Sequence, residues 1–359
     1  MSAPTQTGPA EGGFDAAGEE AGRKWLSQIM IAPAASRAVH AAVKLGLVDA
    51  IGGGARTVAD IAGDLNTDPE ATRRLLRALA ALGLFTENEP DLFATTVQGA
   101  LLSTGRPDSM SEFVRMYSDP VMTQAWDTLD ESVRSGKRSF DAMFGTDFFS
   151  YLAKEPELSA RFNATMAGFT YTVAQLLPGS FDFGKYSCLV DIGGGDGTLL
   201  AGVLSQHPSL RGVVYDSERG LAQTAQTFEY AGIADRASAV VGDFFSSAPE
   251  GGDLYLMKNV LHDWTDEQCV QILRNIRSVI PSNGRLLLAD PVLPALSGPQ
   301  SPANLYLTDL QMLLLLDGKE RTEQDLTELF RAAGFADPTF TPLGQPEFAL
   351  TLVEAAPAG

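Results

Sequence analysis

The chain has 359 residues, 45% hydrophobic, 20% charged and 8% aromatic, with a mean hydropathy near zero. That composition gives a soluble globular protein with room for about two domains and excludes fibrous, wholly disordered and disulfide-stapled classes. Against 26 basic residues stand 45 acidic ones, and the net charge of −19 repels a phosphate backbone, so no nucleic-acid partner is expected.

Residues 1–21 are rich in Gly, Ala, Ser, Pro and acids without an apolar period, which predicts a disordered tail. Residues 22–105 read as one mainly helical domain. A helix over Ala34–Asp49 and a short one over Val58–Leu65 are followed by a longer one opened by Asp68-Pro69, with Leu75, Leu76, Leu79 and Leu82 on one face. Gly83 ends it, and the runs 84–86 and 92–95 flank a turn, so the layout is that of a winged helix. Residues 106–180 are helical in pattern and form a connecting region that contributes to a substrate pocket. From residue 181 to 359, strand-like runs (188–192, 212–215, 239–241, 254–257, 285–289, 348–353) alternate with helical ones, which predicts a doubly wound, Rossmann-like α/β sheet. The most apolar stretch, Leu305 to Leu316, is interrupted by Asp309 and Gln311 well short of about 20 residues, so no membrane span is expected. The first residues lack a leader pattern, and Cys188 and Cys269 both lie in hydrophobic segments; together these point to the cytoplasm and two reduced thiols.

The run Leu189-Val190-Asp191-Ile192 leads into Gly193-Gly194-Gly195-Asp196-Gly197 and then Thr198-Leu199-Leu200: a buried strand, a glycine turn and a helix start. Such a loop lets backbone approach a ligand and offers it unpaired N–H groups. Asp216 ends the next strand, where an acid would accept hydrogen bonds from ribose hydroxyls, and Asp243 ends the one after. The third glycine comes one residue too early for the dinucleotide pattern G-x-G-x-x-G, which disfavours NAD.

The segment 254–264 is a buried strand spilling into Lys258, Asn259, His262, Asp263 and Trp264, and ligands bind at the carboxyl ends of strands in such sheets. Thr265 with Gln268 fits a capping box, so His262 lies in a short loop between two rigid elements. His40 and His207 belong to separate helical segments, so the usual metal spacings cannot be assembled locally. No G-x-S-x-G elbow supports a serine hydrolase.

In order and spacing, Asp191-Ile-Gly-Gly-Gly-Asp-Gly, Gly242-Asp-Phe-Phe, Leu261-His-Asp-Trp-Thr-Asp-Glu and Gly318-Lys-Glu-Arg-Thr resemble the S-adenosylmethionine-dependent O-methyltransferases of the plant caffeate type and their bacterial natural-product relatives. The resemblance covers about residues 25 to 354. It implies His262 as general base with Asp290 and Glu320 flanking the imidazole, and S-adenosylmethionine held by Asp191, Gly193, Gly195, Asp216, Asp243, Phe244 and Lys258, with Trp264 near the adenine. It implies a homodimer made by the N-terminal domain, with Met30 reaching toward the partner. Two departures stand out. Ser217-Glu218 replaces the usual Leu-Pro after the ribose acid, and Asp290 stands where many relatives have Glu, one methylene longer. Some relatives with Asn at the histidine position do other chemistry; this chain has the base.

An aromatic acceptor fits this set. A phenol of pKa about 10 is only about 0.1% ionised at pH 7, and a positioned histidine can take its proton. Phe162, Met166, Phe169 and Met312 are candidate acceptor walls, with Asp263 and Asp309 as polar contacts. The alternatives are a family member that binds S-adenosylmethionine but does other chemistry and, further off, a winged-helix regulator, because Arg73, Arg74 and Arg77 lie opposite the leucine face. Residues 1–100 hold 8 basic and 12 acidic residues, a net of −4, which lacks the basic footprint of a DNA reader.

Overall fold

The computed structural model describes residues 16–106, 108–344 and 350–359. The chain divides into two units, the first comprising residues up to Gln124 with 157–168 and 298–300, the second 125–156, 169–297 and 301–359.

In the first unit, helix Ala16–Leu45 begins earlier than the expected tail allows. Residues 16–21 are helical because Ala and Glu favour the helix and Arg23 pairs with Glu19 and Glu20 at i+4 and i+3 spacing; residues 1–15 lie outside the described ones. Helices Val58–Leu65 and Pro69–Ala81 start as the sequence dictates. Thr57 and Asp68 side chains accept from the Asp60 and Ala71 amides, and Pro69 stands at the first helical position. Leu76 and Leu79 are fully buried with Ile61, Phe85 and Phe93, whereas Leu82 caps the helix and is 48% exposed. The hairpin gains a third strand, so the wing runs β1 (Ala55–Thr57), β3 (Leu92–Thr95), β2 (Phe85–Glu89) across the sheet. Arg73 pairs with Glu70 and Asp91, and Arg77 with Glu87. The wing acids thus neutralise two of the three arginines that a DNA reader would need free.

The expected connecting region, residues 106–180, is shared between the units. Arg115 donates to the Val43 carbonyl at 3.1 Å and Arg37 to that of Ser118 at 2.8 Å, tying 111–118 to the first helix. Val173, Ala174 and Leu177 instead join a core of the second unit.

That second unit is built on β4 (Cys188–Ile192), β5 (Arg211–Asp216), β6 (Ala237–Val241), β7 (Leu254–Lys258), β8 (Arg285–Leu293), β9 (Arg321–Thr322), β10 (Thr339–Leu343) and β11 (Leu350–Ala355). The order across the sheet is β10-β11-β8-β7-β4-β5-β6, with β9 paired to β8. β8, β7, β4, β5 and β6 are mutually parallel, and β11 runs antiparallel to both its neighbours. Alternate strand residues feed two cores: Val190, Ile192, Tyr255 and Met257 pack with Ile272, Leu273 and Phe330 on one face, Leu189, Leu254 and Leu256 with Leu200, Val203 and Leu204 on the other. The chain leaves β4 in one direction through β5 and β6 and returns to β4's other side as β7, so the strand order reverses between β4 and β7, the place at the carboxyl ends where ligands bind in such sheets.

Phe93→Ala empties a fully buried position of the first unit's core and is expected to lower its stability by about 3–5 kcal/mol. Chemical denaturation compared with wild type checks this; a loss under 1 kcal/mol would contradict the packing described.

Candidate active site

The glycine loop after β4 and the loop after β7 meet at the switch point, since a Cβ on Gly193 would lie 2.7 Å from Val260 Cγ2. Gly195 is different. Its φ is +55° and a Cβ there would meet nothing within 4 Å, so this stretch of backbone faces open space. Asp216 Oδ2 accepts the Gly195 amide at 2.9 Å, and its Oδ1 accepts from Ser217, which leaves carboxylate lone pairs for a further donor. Asp191 is 1% exposed and its Oδ2 has no hydrogen-bond partner. Burial, with the Asp216 charge adding, pushes its carboxyl up to about 7, and Lys258 opposes the shift.

Asp243 spends both oxygens locally, on the Phe245 amide at 2.9 Å and the Ser246 hydroxyl at 2.8 Å. Phe244 and Phe245 stand edge-on to Trp264, and Phe149 stacks on it at 5.8 Å, while the Trp264 Nε1–H is buried without an acceptor. Lys258 Nζ lies 3.3 Å from Thr170 Oγ1; burial lowers its pKa against the pull of Asp290, Asp191 and Asp263.

At β7's end, Asn259 takes φ +52°, a left-handed conformation that Asn tolerates best among residues with a side chain, and the chain turns into a 3-10 turn, Leu261–Asp263. The Thr265–Gln268 capping box forms and starts helix Asp266–Val279, fixing the turn's far end. His262 Nδ1 lies 2.9 Å from Glu320 Oε1, and Nε2 lies 3.5 Å from Asp263 Oδ1. Burial works to lower the imidazole's pKa, but Asp263, the Glu320 hydrogen bond and the Asp290 charge outweigh it and raise it to about 9. Asp263, desolvated beside Glu320 and Asp290 and eased by His262, is pushed up to about 6.

Asp290 does not flank the ring by contact as expected. Its Oδ1 accepts the Asn259 amide at 2.6 Å, so it reaches His262 only through its charge, as its short side chain dictates. Asp309 accepts the Glu320 amide at 2.8 Å and so supports the base's partner. Met312, one turn further along helix Ala303–Leu315, is buried, and Phe169 is 40% exposed in this same unit. Phe162 and Met166 belong to the first unit. Sequence reasoning passed over Asn259, Thr170 and the reason for Gly318, whose Cβ would fall 1.8 Å from the His262 carbonyl oxygen. The signal for Gly318 was its place at the head of Gly318-Lys-Glu-Arg-Thr.

These residues suit S-adenosylmethionine. Three buried carboxyls, Asp191, Asp290 and Glu320, and the half-buried Asp263 face Lys258 and His262 as the site's cations. A sulfonium balances such a site, whereas a pyrophosphate would add to its negative charge. The open backbone at Gly195 and the unpartnered Asp191 and Trp264 atoms would be available for its polar contacts.

Residues 126–336 match the family model of the O-methyltransferase domain, and residues 28–105 that of the O-methyltransferase dimerisation domain. The O-demethylpuromycin-O-methyltransferase of Streptomyces alboniger is 44% identical over 325 residues, covering 90% of this chain and 86% of that protein. The structure of the mitomycin 7-O-methyltransferase MmcR superposes with a TM-score of 0.87 at 33% identity, over 96% of this chain and all of that one. That of NcsB1 from neocarzinostatin biosynthesis, in complex with S-adenosylmethionine and 2-hydroxy-5-methyl naphthoic acid, gives 0.74 at 31% identity, over 90% and 96%.

Gly195→Val strains a left-handed backbone and fills its open side, so it is expected to abolish S-adenosylmethionine binding measured by calorimetry while the circular dichroism spectrum holds. Wild-type affinity in this variant would place the cofactor elsewhere.

Proposed function

The chain belongs to the O-methyltransferase family, a natural-product methyltransferase that uses S-adenosylmethionine, and from that premise we propose that it methylates a phenolic hydroxyl of an aromatic small molecule with His262 as general base. The observation that carries this reading is the His262–Glu320 hydrogen bond. With Nδ1 committed to Glu320, the ring presents Nε2 as the atom that can accept a proton, and the adjacent Asp263 is placed to contact an acceptor there.

S-adenosylmethionine supplies an electrophilic methyl group on a sulfonium sulfur. The chain's part is to hold the glycine backbone and Asp216 toward the donor and to remove the hydroxyl proton. An imidazole near 9 is closely matched to a phenol near ~10, so proton transfer between them is almost level in energy. The cost is that at pH 7 only about 1% of the ring is free base. Glu320 orients the ring and stabilises its cation, Asp309 fixes Glu320, and Asp290 holds the Asn259 turn while adding to the field. Met312 and Phe169 are acceptor-wall residues. Asp191, Gly193, Gly195, Asp243, Phe244, Lys258 and Trp264 complete the cofactor set. The dimerisation domain makes a homodimer, with its exposed Leu26, Met30 and Ile31 as apolar surface. Among the described residues no helix is long and apolar enough to cross a membrane.

His262→Asn is expected to keep cofactor affinity while turnover on the phenolic acceptor falls by about 10²–10⁴ at pH 7. Part of the loss should return as pH approaches the acceptor's own pKa. Near-normal turnover at pH 7 would make alignment alone the better mechanism.

Wild-type turnover should rise from pH 7 toward 9 and level above it, as the imidazole with its raised pKa loses its proton. The same shift has a stability side. The folded value lies above the unfolded one, so the stabilisation is complete below about 6.5 and is lost as pH rises through about 9. The melting temperature of wild type relative to His262→Asn should therefore fall across that window, and a constant difference would contradict the shift.

Sedimentation velocity without cofactor should show a dimer at micromolar concentration, since the apolar contact surface lies in the N-terminal domain. A monomer would overturn that assignment.

A further inference from the structure

Arg321 is 3% exposed and its guanidinium is fully engaged. Nη1 donates to the Leu261 carbonyl at 2.8 Å and to that of Lys319 at 3.3 Å, and Nη2 donates to the Trp264 carbonyl at 2.8 Å. Nε and Nη2 both donate to Asp266 Oδ1, at 3.0 and 2.8 Å. Leu261 and Trp264 bracket His262 and Asp263, so one planar fork grips the base's turn at both ends. The arginine's own backbone is fixed to the sheet, because the two-residue strand β9 pairs Arg321 with Val292 of β8. The residue before it is Glu320.

Stability alone does not call for this side chain. Its single carboxylate partner is 45% exposed, and the two carbonyls already receive the Cys269 thiol, at 3.2 and 3.6 Å. Burying a guanidinium for that return is costly. What the fork does is join two loops whose separation sets the His262–Glu320 bond. We infer that Arg321 is the positioning residue for His262, yoking the turn that carries the imidazole to the strand that carries Glu320.

The functional meaning of the yoke rests on the proposal that His262 is the base, but the yoke itself is read on the imidazole without any acceptor. The groups acting on that ring are Glu320 and Asp263 in contact and Asp290 through its charge. Arg321→Lys keeps the positive charge and loses the fork, because one ammonium cannot span both carbonyls and the carboxylate. The protein has three histidines, His40, His207 and His262, so the imidazoles of the full-length chain can be followed by nuclear magnetic resonance, with His262 assigned by the signal missing in His262→Asn.

In Arg321→Lys the His262 midpoint is expected to fall from near 9 by about one unit toward the ordinary value, as the Glu320 hydrogen bond loosens. A wild-type midpoint overturns the inference even if the melting temperature drops, since that is what a merely structural arginine would give. Should Arg321→Lys fail to fold, Asp266→Ala removes the fork's half-exposed anchor, and an unshifted midpoint there is equally fatal. If His262→Asn retains turnover while Arg321→Lys shifts the imidazole, the yoke stands and the general-base proposal falls. If His262→Asn loses turnover and the midpoint is unmoved, the base stands and the yoke falls.

Discussion

The 2.9 Å bond between His262 Nδ1 and Glu320 Oε1 joins two loops 58 residues apart in the chain, and most of the surrounding architecture makes sense as what keeps that bond in place. A histidine on a free loop would sample several rotamers, and the entropy of fixing it would be charged to every turnover. Here the turn is too short to wander. It begins at a buried strand end and stops at a capped helix, and the Glu320 loop presses so closely on it that only glycine fits at position 318. Asp309 then takes the Glu320 amide, so the partner acid is set by backbone as well as by side chain.

The electrostatics follow from burying this assembly. Each carboxyl loses hydration, and Asp191, Asp263 and Asp290 all have raised pKa values for that first reason, with neighbouring acids adding to it. Two cations do not offset four acids. A site built this way holds the imidazole as its cation when empty and favours a cationic donor over an anionic one. The same imbalance sets a tension in the imidazole if it serves as the base: the acids that orient His262 also strengthen its hold on a proton, so orientation is gained at the expense of free base near neutral pH.

The parts legible in the sequence were those whose physics is local. The strand–glycine–helix run around Ile192 and the Thr265 capping box are short-range patterns and form as read, while of the leucine face of helix Pro69–Ala81 Leu76 and Leu79 are buried and Leu82 is exposed beyond the helix end. Elements held by pairing alone were not legible. β1 and β9 have three and two residues and no period, and β10 contains Pro342, tolerated because this is an edge strand. The helix Ala303–Leu315 was noticed only as an apolar stretch, since its polar residues are too few to mark a face. Within the site, the sequence did not show which acid touches the ring, because that depends on where separate loops are brought together: Asp290 is taken up by the Asn259 amide, while Glu320 and Asp263 meet the imidazole.

The division of labour within the catalytic unit explains how one reaction can be kept while the acceptor varies. In the proposed reaction the donor contacts and the base lie on short connections, residues 193–197 and 259–265, between a parallel sheet and its helices, where backbone hydrogen bonds leave little room for movement. Met312 and Asp309 instead come from a helix that leaves the sheet altogether, and a helix face can be resurfaced without touching strand register. Asp309 limits that freedom. Because its carboxylate holds the Glu320 amide, the helix cannot shift away from the site without loosening the acid that orients His262. On the proposed reading the acceptor wall and the base are therefore coupled at one hydrogen bond, and acceptor specificity is free to change only around that fixed point.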